Sequence, residues 1–242
     1  MVTTYIMGTH SQTLGHSADV SKYLKAAIEA DPSNSVSFIH GGEVMKEFPS
    51  TFKDLSDYDL LILSDIASDA LLMYHPTISD LPLPYGPNRL QLIKDCVENG
   101  MGFIMIGTYC SFGGYMGMGR YHKTPIEEIL PVKISPYDDH VEVPQGFHLL
   151  PKIIDHPITS DIPWGDEAFW LIGYNRVEAK PGFPILAEFG PDPILLTGGY
   201  GYGRTMAFMA GAIPHWGGDF HQWKYYSQFW TQTVNWINRK HV

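Results

Sequence analysis

The stretch that most limits what this chain can fold into is Met101–Gly114, Met-Gly-Phe-Ile-Met-Ile-Gly-Thr-Tyr-Cys-Ser-Phe-Gly-Gly, where an apolar run ends in Gly107 and Cys110 follows. A short apolar run bounded by glycine predicts a strand covered on both faces. If that strand stops abruptly in a tight turn, the turn lifts a side chain out of the carboxyl edge of the sheet, where open α/β folds hold their ligands. Cys110 is then a candidate nucleophile. About a hundred residues later, Ala212-Ile-Pro-His-Trp-Gly-Gly-Asp219 sets His215 beside the end of another predicted strand. A sequence-distant Cys and His are what a thiol hydrolase requires.

The rest of the pattern supplies the sheet around that strand. Val2–Met7 predicts a first strand, and a helix is expected from Ser17 or Asp19 to Ala30, because Val20, Leu24, Ala27 and Ile28 recur at helical spacing before Asp31-Pro32. Ser35–Ile39 and Tyr58–Asp65 predict two more strands, the latter ending in hydroxyl and acidic residues. Asn88–Asn99 predicts a helix capped by Asn88 and stopped by Gly100, with Leu90, Ile93, Cys96 and Val97 on one face, so Cys96 is a core residue. Strands alternating with helices argue for a parallel sheet. From Thr124 to Trp164 the chain turns Pro-rich, which predicts an elaboration packed on the sheet within a single domain spanning 1–242.

Gly198–Arg204 is glycine-rich between two short strands, Ile194–Thr197 and Thr205–Met209. No lysine follows in Walker spacing, so a hairpin is expected and not a phosphate loop. Gln222–Asn238 predicts a closing helix with Trp223, Tyr226, Phe229, Trp230, Val234 and Ile237 on its packed face.

Charge narrows the partners. The formal net charge of −10 is spread along the chain, with 26 acidic against 16 basic residues, and this argues against a nucleic-acid or anionic-membrane surface. No apolar run has bilayer length and no secretory signal pattern opens the sequence, and two cysteines suit a reducing compartment, so a cytoplasmic protein is expected. The aromatic-rich region after Trp164 is compatible with a homo-oligomer as well as with core packing.

Each candidate site residue has a structural alternative. Cys110 needs a base or helix dipole to become a thiolate, yet the glycines after it favour a loop, which also makes it a half-buried loop residue. His215 projects from a rigid Pro-His-Trp loop as a general base or as a hydrogen-bonded structural histidine. His215, Asp219 and His221 are three potential metal ligands within seven residues, a weak spacing for a metal site. Asp138-Asp-His140 with Glu142 suggests a solvated turn. Arg120 could grip a carboxylate or brace its own loop.

Several segments taken together resemble a known family: Tyr58–Asp65, Gly102–Gly107, Ser111–Gly113, Thr124–Val132, Gly173–Asn175, Gly201–Arg204 and Pro214–Trp216. In them the chain resembles the glutamine amidotransferase-like proteins of the class I glutamine amidotransferase superfamily. The resemblance implies a flavodoxin-like three-layer α/β/α sandwich with a mostly parallel central sheet, and a nucleophile position in the turn after Gly107. It also implies a departure at that position. The Gly-x-Cys-x-Gly pattern of true class I amidotransferases puts Tyr109 where the cysteine belongs, Cys110 falls one residue late, and Trp216-Gly217 stands where their Pro-x-Glu would complete a triad.

Two functions follow as expectations. One is a protein without cofactor that binds a small molecule at the sheet edge, using Tyr109, Ser111, Arg120 and Trp216 beside His215. The other is an amide hydrolase in which Cys110 attacks, His215 moves protons and Asp219 orients the imidazole. Metal-dependent hydrolysis through His215, Asp219 and His221 is the remote alternative.

Overall fold

The computed structural model describes residues 2–7, 21–74, 86–165 and 169–238, with only the backbone of 2–7. Its strands are β1 (Val2–Met7), β2 (Asn34–Ile39), β3 (Leu60–Ser64), β4 (Gly102–Ile106), β5 (Val132–Lys133), β6 (His140–Phe147), β7 (Leu171–Asn175), β8 (Glu178–Ala179), β9 (Ile185–Phe189), β10 (Asp192–Tyr200) and β11 (Gly203–Phe208). Seven of them form one mixed sheet in the order β2-β1-β3-β4-β11-β10-β9. The first five in that order are mutually parallel, and β10 and β9 extend the sheet antiparallel. Every residue of β3 and of β4 is buried, as a strand covered on both faces requires.

The helices are α1 (Ser21–Ile28), α2 (Val44–Glu47), α3 (Phe52–Ser56), α4 (Ser68–Leu72), α5 (Arg89–Glu98), α6 (Pro125–Ile129) and α7 (Tyr226–Ile237). They pack in two groups, α1 against α7, and α5 against α3, α4 and α6. In α5 the Asn88 side chain accepts from the N–H groups of Leu90 and Gln91, and Gly100 at φ 117° releases the chain toward β4, as the spacing predicts. Of the helix expected from Ser17 or Asp19 to Ala30, residues 17–20 lie outside the described part and Ser21–Ile28 is helical.

Two boundaries differ from expectation. The closing helix begins at Tyr226, because Phe220–Gln222 closes its own 3₁₀ turn through the Trp223 N–H and Trp223 is then extended. Phe220 still stacks with Phe169 and meets Phe208, so these aromatics are core even where they are not helical. The glycine-rich segment is the predicted hairpin, longer than the flanking apolar runs suggest. Gly198 pairs with Thr205 and Tyr200 with Gly203, and Gly201 takes φ 57° at the tip.

The Pro-rich region folds as two small antiparallel ladders, β5 with β8 and β6 with β7. Their buried residues Val132, Val143, Phe147, Leu171 and Tyr174 join the same hydrophobic cluster as β3, β4 and β11. The β6–β7 ladder thus hangs over the carboxyl ends of β4 and β11, where the Asn175 N–H donates to the carbonyl of Met209.

Candidate functional site

The turn after β4 is built around a glycine that tolerates no side chain. The Gly107 N–H donates to the Phe208 carbonyl at 2.7 Å, and a Cβ at Gly107 would lie 1.7 Å from the Met209 carbonyl oxygen. From there the chain folds back through Ser111, whose hydroxyl donates to the Ile106 carbonyl at 2.6 Å and whose N–H donates to that of Thr108. Ser111 is therefore interior and closes the turn.

Asp65, at the end of β3 and at φ 58°, supports the turn from one side. It accepts from the Thr108 hydroxyl at 2.8 Å and from the Cys110 N–H at 3.1 Å. Asn175, at the end of β7 and completely buried, supports it from the other. Its side-chain oxygen accepts from the Thr108 N–H at 3.0 Å, and its amide donates to Asp139 at 2.7 Å and to the Ser111 carbonyl at 3.3 Å. Asp139 in turn accepts from the N–H groups of Gly113 and Gly114, both at 2.7 Å.

This network corrects the solvated-turn expectation for residues 138–142. Asp138 is exposed and pairs with His140, but Asp139 is only 5% exposed and clamps the loop beyond Cys110. Alternating solvent and interior positions within three residues is a strand-edge property that composition alone does not reveal. Burial pushes the Asp139 carboxyl up to about 6, against the three N–H donors that favour its charged form. The folded chain should thus take up this proton before the unfolded chain does, so the group's contribution to stability grows as pH falls from about 6 toward the ordinary carboxylate range. A carboxyl-carbon NMR titration should show a midpoint near 6 that disappears in Asp139→Asn; a midpoint near 4 would refute this.

The expected catalytic residues lie in different surroundings. Cys110 is half-buried against Asp65, and burial first, then the Asp65 charge and hydrogen bond, push its thiol up to about 11. No hydrogen bond joins Cys110 to His215 among the described residues. His215, at φ 92° after Pro214, meets the Tyr109 ring edge-on at a centroid distance of 4.8 Å and lies parallel to Trp216 at 6.2 Å. Asp219 accepts from the Trp170 N–H at 2.6 Å, and His221 packs on Tyr23. Among the described residues no group of three His, Cys, Asp or Glu side chains could hold a metal ion.

The binding candidates divide as well. Arg120 is exposed and pairs with Asp69, while its carbonyl accepts from the Ser68 hydroxyl. Tyr109 and Trp216 do come together, through a residue the sequence reading set aside. The Tyr109 hydroxyl and the Trp216 indole N–H both donate to the same oxygen of Glu142, at 2.8 Å and 3.0 Å. Trp216 is wholly buried over Gly173, where any Cβ would strike its ring at 2.3 Å. Burial and the Glu142 carboxylate push the Tyr109 phenol up to about 12, so it remains a donor at neutral pH. Tyr115 and His140 complete the cluster, Tyr115 lying 5.3 Å from Tyr109 and 4.8 Å from His140 between ring centroids. The result is a surface of aromatic and imidazole rings around one oriented carboxylate, next to the Cys110 turn.

The chain is similar to known proteins in sequence and fold. A family model described as "Putative glutamine amidotransferase" matches residues 1–239. The cytoplasmic protein STM1381 of Salmonella typhimurium LT2 is similar in structure, with a TM-score of 0.86 and 32% identity over 98% of this chain and 99% of that one. The cytoplasmic protein STM3548 of Salmonella typhimurium gives 0.85 and 27% over 98% and 99%. A thua-like protein from Parabacteroides merdae, at 18% identity and a TM-score of 0.57 over 100% and 91%, shares the fold alone. No curated protein matches the chain.

Proposed function

Since the chain belongs to the glutamine amidotransferase-like (GATase1-like) family matched over residues 1–239, we propose that it is a cytoplasmic small-molecule-binding member that works without a Cys-His-Glu triad. In this reading 1–242 is one domain, a flavodoxin-like three-layer α/β/α sandwich. The ligand sits at the carboxyl edge of the parallel strands, against Tyr109, His215 and Trp216, with Ser111 holding the turn and Arg120 bracing its rim. Strand order and the two helix groups support the fold, and the names of the two Salmonella proteins support the compartment.

The observation that carries the reading is the Cys110 thiol, turned to Asp65 and pushed up to about 11. A thiol nucleophile needs a neighbour that favours the thiolate, such as a base or a positive charge. A carboxylate does the reverse. His215 is engaged with Tyr109, and Asp219 with the Trp170 backbone, so no relay supports the sulfur.

Two measurements test this. Alkylation of Cys110 by iodoacetamide at pH 7 should run roughly a hundredfold slower than that of a free cysteine, because the thiolate fraction falls about tenfold per unit of raised pKa. Glutamine hydrolysis should be absent in the wild type and unaltered in Cys110→Ala. Turnover that disappears in Cys110→Ala would establish the amide-hydrolase reading with Cys110, His215 and Asp219 in its place.

A further inference from the structure

Glu142 on β6 is exposed, yet its carboxylate is fixed in direction. Both internal donors converge on Oε1, the Tyr109 hydroxyl at 2.8 Å and the Trp216 indole N–H at 3.0 Å. Both donors are neutral, so they orient the charge without cancelling it. Other carboxylates have a guanidinium partner, Asp192 in Arg176 and Asp69 in Arg120. Among the described residues Glu142 forms no ion pair with Lys, Arg or His within 4.0 Å, and its Oε2 accepts no hydrogen bond from them.

The tyrosine that donates to Glu142 belongs to a cluster of rings. Tyr109 stands at the centre, with His215, Tyr115 and Trp216 at centroid distances of 4.8, 5.3 and 5.4 Å. Tyr109, Tyr115 and His215 are all partly open to solvent. Met116 follows Tyr115, 71% exposed, with its N–H on the Asp138 carboxylate, and Tyr137 beside Asp138 is 77% exposed. Aromatic faces carry negative potential, and methionine adds a polarizable apolar contact.

We propose that this face binds an organic cation, a primary ammonium or guanidinium carried on an apolar body. The cationic N–H group donates to Glu142 Oε2, a charge-assisted hydrogen bond, while the apolar body lies on Tyr109 and Tyr115. A carboxylate or phosphate ligand meets an uncompensated negative charge at the same point and is excluded. The inference rests on the small-molecule reading above and adds the chemical class of the ligand.

The test uses three probes of one shape and three charges on the whole protein by titration calorimetry at low salt: benzylammonium, benzyl alcohol and benzoate. Benzylammonium should bind roughly tenfold or more tighter than either of the others. Glu142→Gln keeps an acceptor for Tyr109 and Trp216 and removes only the charge, and it should weaken benzylammonium by a similar factor. Equal or tighter binding of benzyl alcohol or benzoate, or undiminished benzylammonium binding in Glu142→Gln, overturns the cation assignment while leaving a small-molecule site. Absence of binding by all three also overturns it. Cys110-dependent glutamine hydrolysis, measured separately, is what would remove the underlying reading.

Discussion

Gly107→Ala should destabilise the protein by about 3 kcal/mol or more, at the upper end of what overpacking costs. The added Cβ would lie 1.7 Å from the Met209 carbonyl oxygen and 2.9 Å from Asn175 Oδ1. Neither neighbour can retreat cheaply. The Met209 carbonyl is held by the Asn175 N–H at 3.0 Å, and the Met209 N–H donates to Ile194 at 2.8 Å. For a chain of this length the melting temperature should fall by roughly 10 °C. Gly42→Ala is the control, because its nearest neighbour is a histidine ring atom at 3.7 Å and the site is exposed. A thermal melt in which the two variants behave alike would show that the turn after β4 has room to yield.

Asn175→Ala should cost about 3 kcal/mol, because it strands buried polar partners of three hydrogen bonds at once. The Thr108 N–H and the Ser111 carbonyl lose contacts at 3.0 and 3.3 Å, and Asp139 loses a donor at 2.7 Å. Asn175→Asp separates the contributions. It keeps an acceptor for Thr108 but places a second carboxylate against Asp139, so the pair must share a proton. Its deficit should be large at pH 8 and shrink toward pH 5, whereas that of Asn175→Ala should persist. Denaturant melts of both variants at the two pH values decide the matter, and an Asn175→Asp variant as stable as wild type at pH 8 would contradict the network.

What the sequence revealed and what it hid divide along a physical line. β3, β4, α5 and the β10–β11 hairpin were legible because their signals are local: apolar runs, a cap and a stop, glycines between strands. The family was legible from short blocks spread along the chain. The site was only half legible. Tyr109, Ser111 and Trp216 stood out in the expected turn and loop, but the residues that hold them, Asp65, Asp139, Glu142 and Asn175, come from three other places in the chain. Glu142 looked like surface because it is surface; its role comes from a tyrosine and a tryptophan that are 33 and 74 residues away. Asp139 sits one residue from an exposed Asp138, and no periodicity of charge distinguishes the clamp from its neighbour.

The place of β11 in the sheet also sets a timetable. It lies directly beside β4, with Thr205 paired to Phe103 and Phe208 to Ile106, although the ribosome makes it about a hundred residues later. Until then β4 is an open edge with unpaired N–H and C=O groups, and the Gly107 turn lacks the backbone it rests on. The long wait makes this a pairing of high sequence separation, slow to close and exposed to wrong partners meanwhile. The surface where Tyr109, Glu142 and Trp216 meet is therefore among the last parts of the molecule to be assembled during synthesis, and a nascent chain stalled before β11 presents an open strand edge where the finished protein has β11.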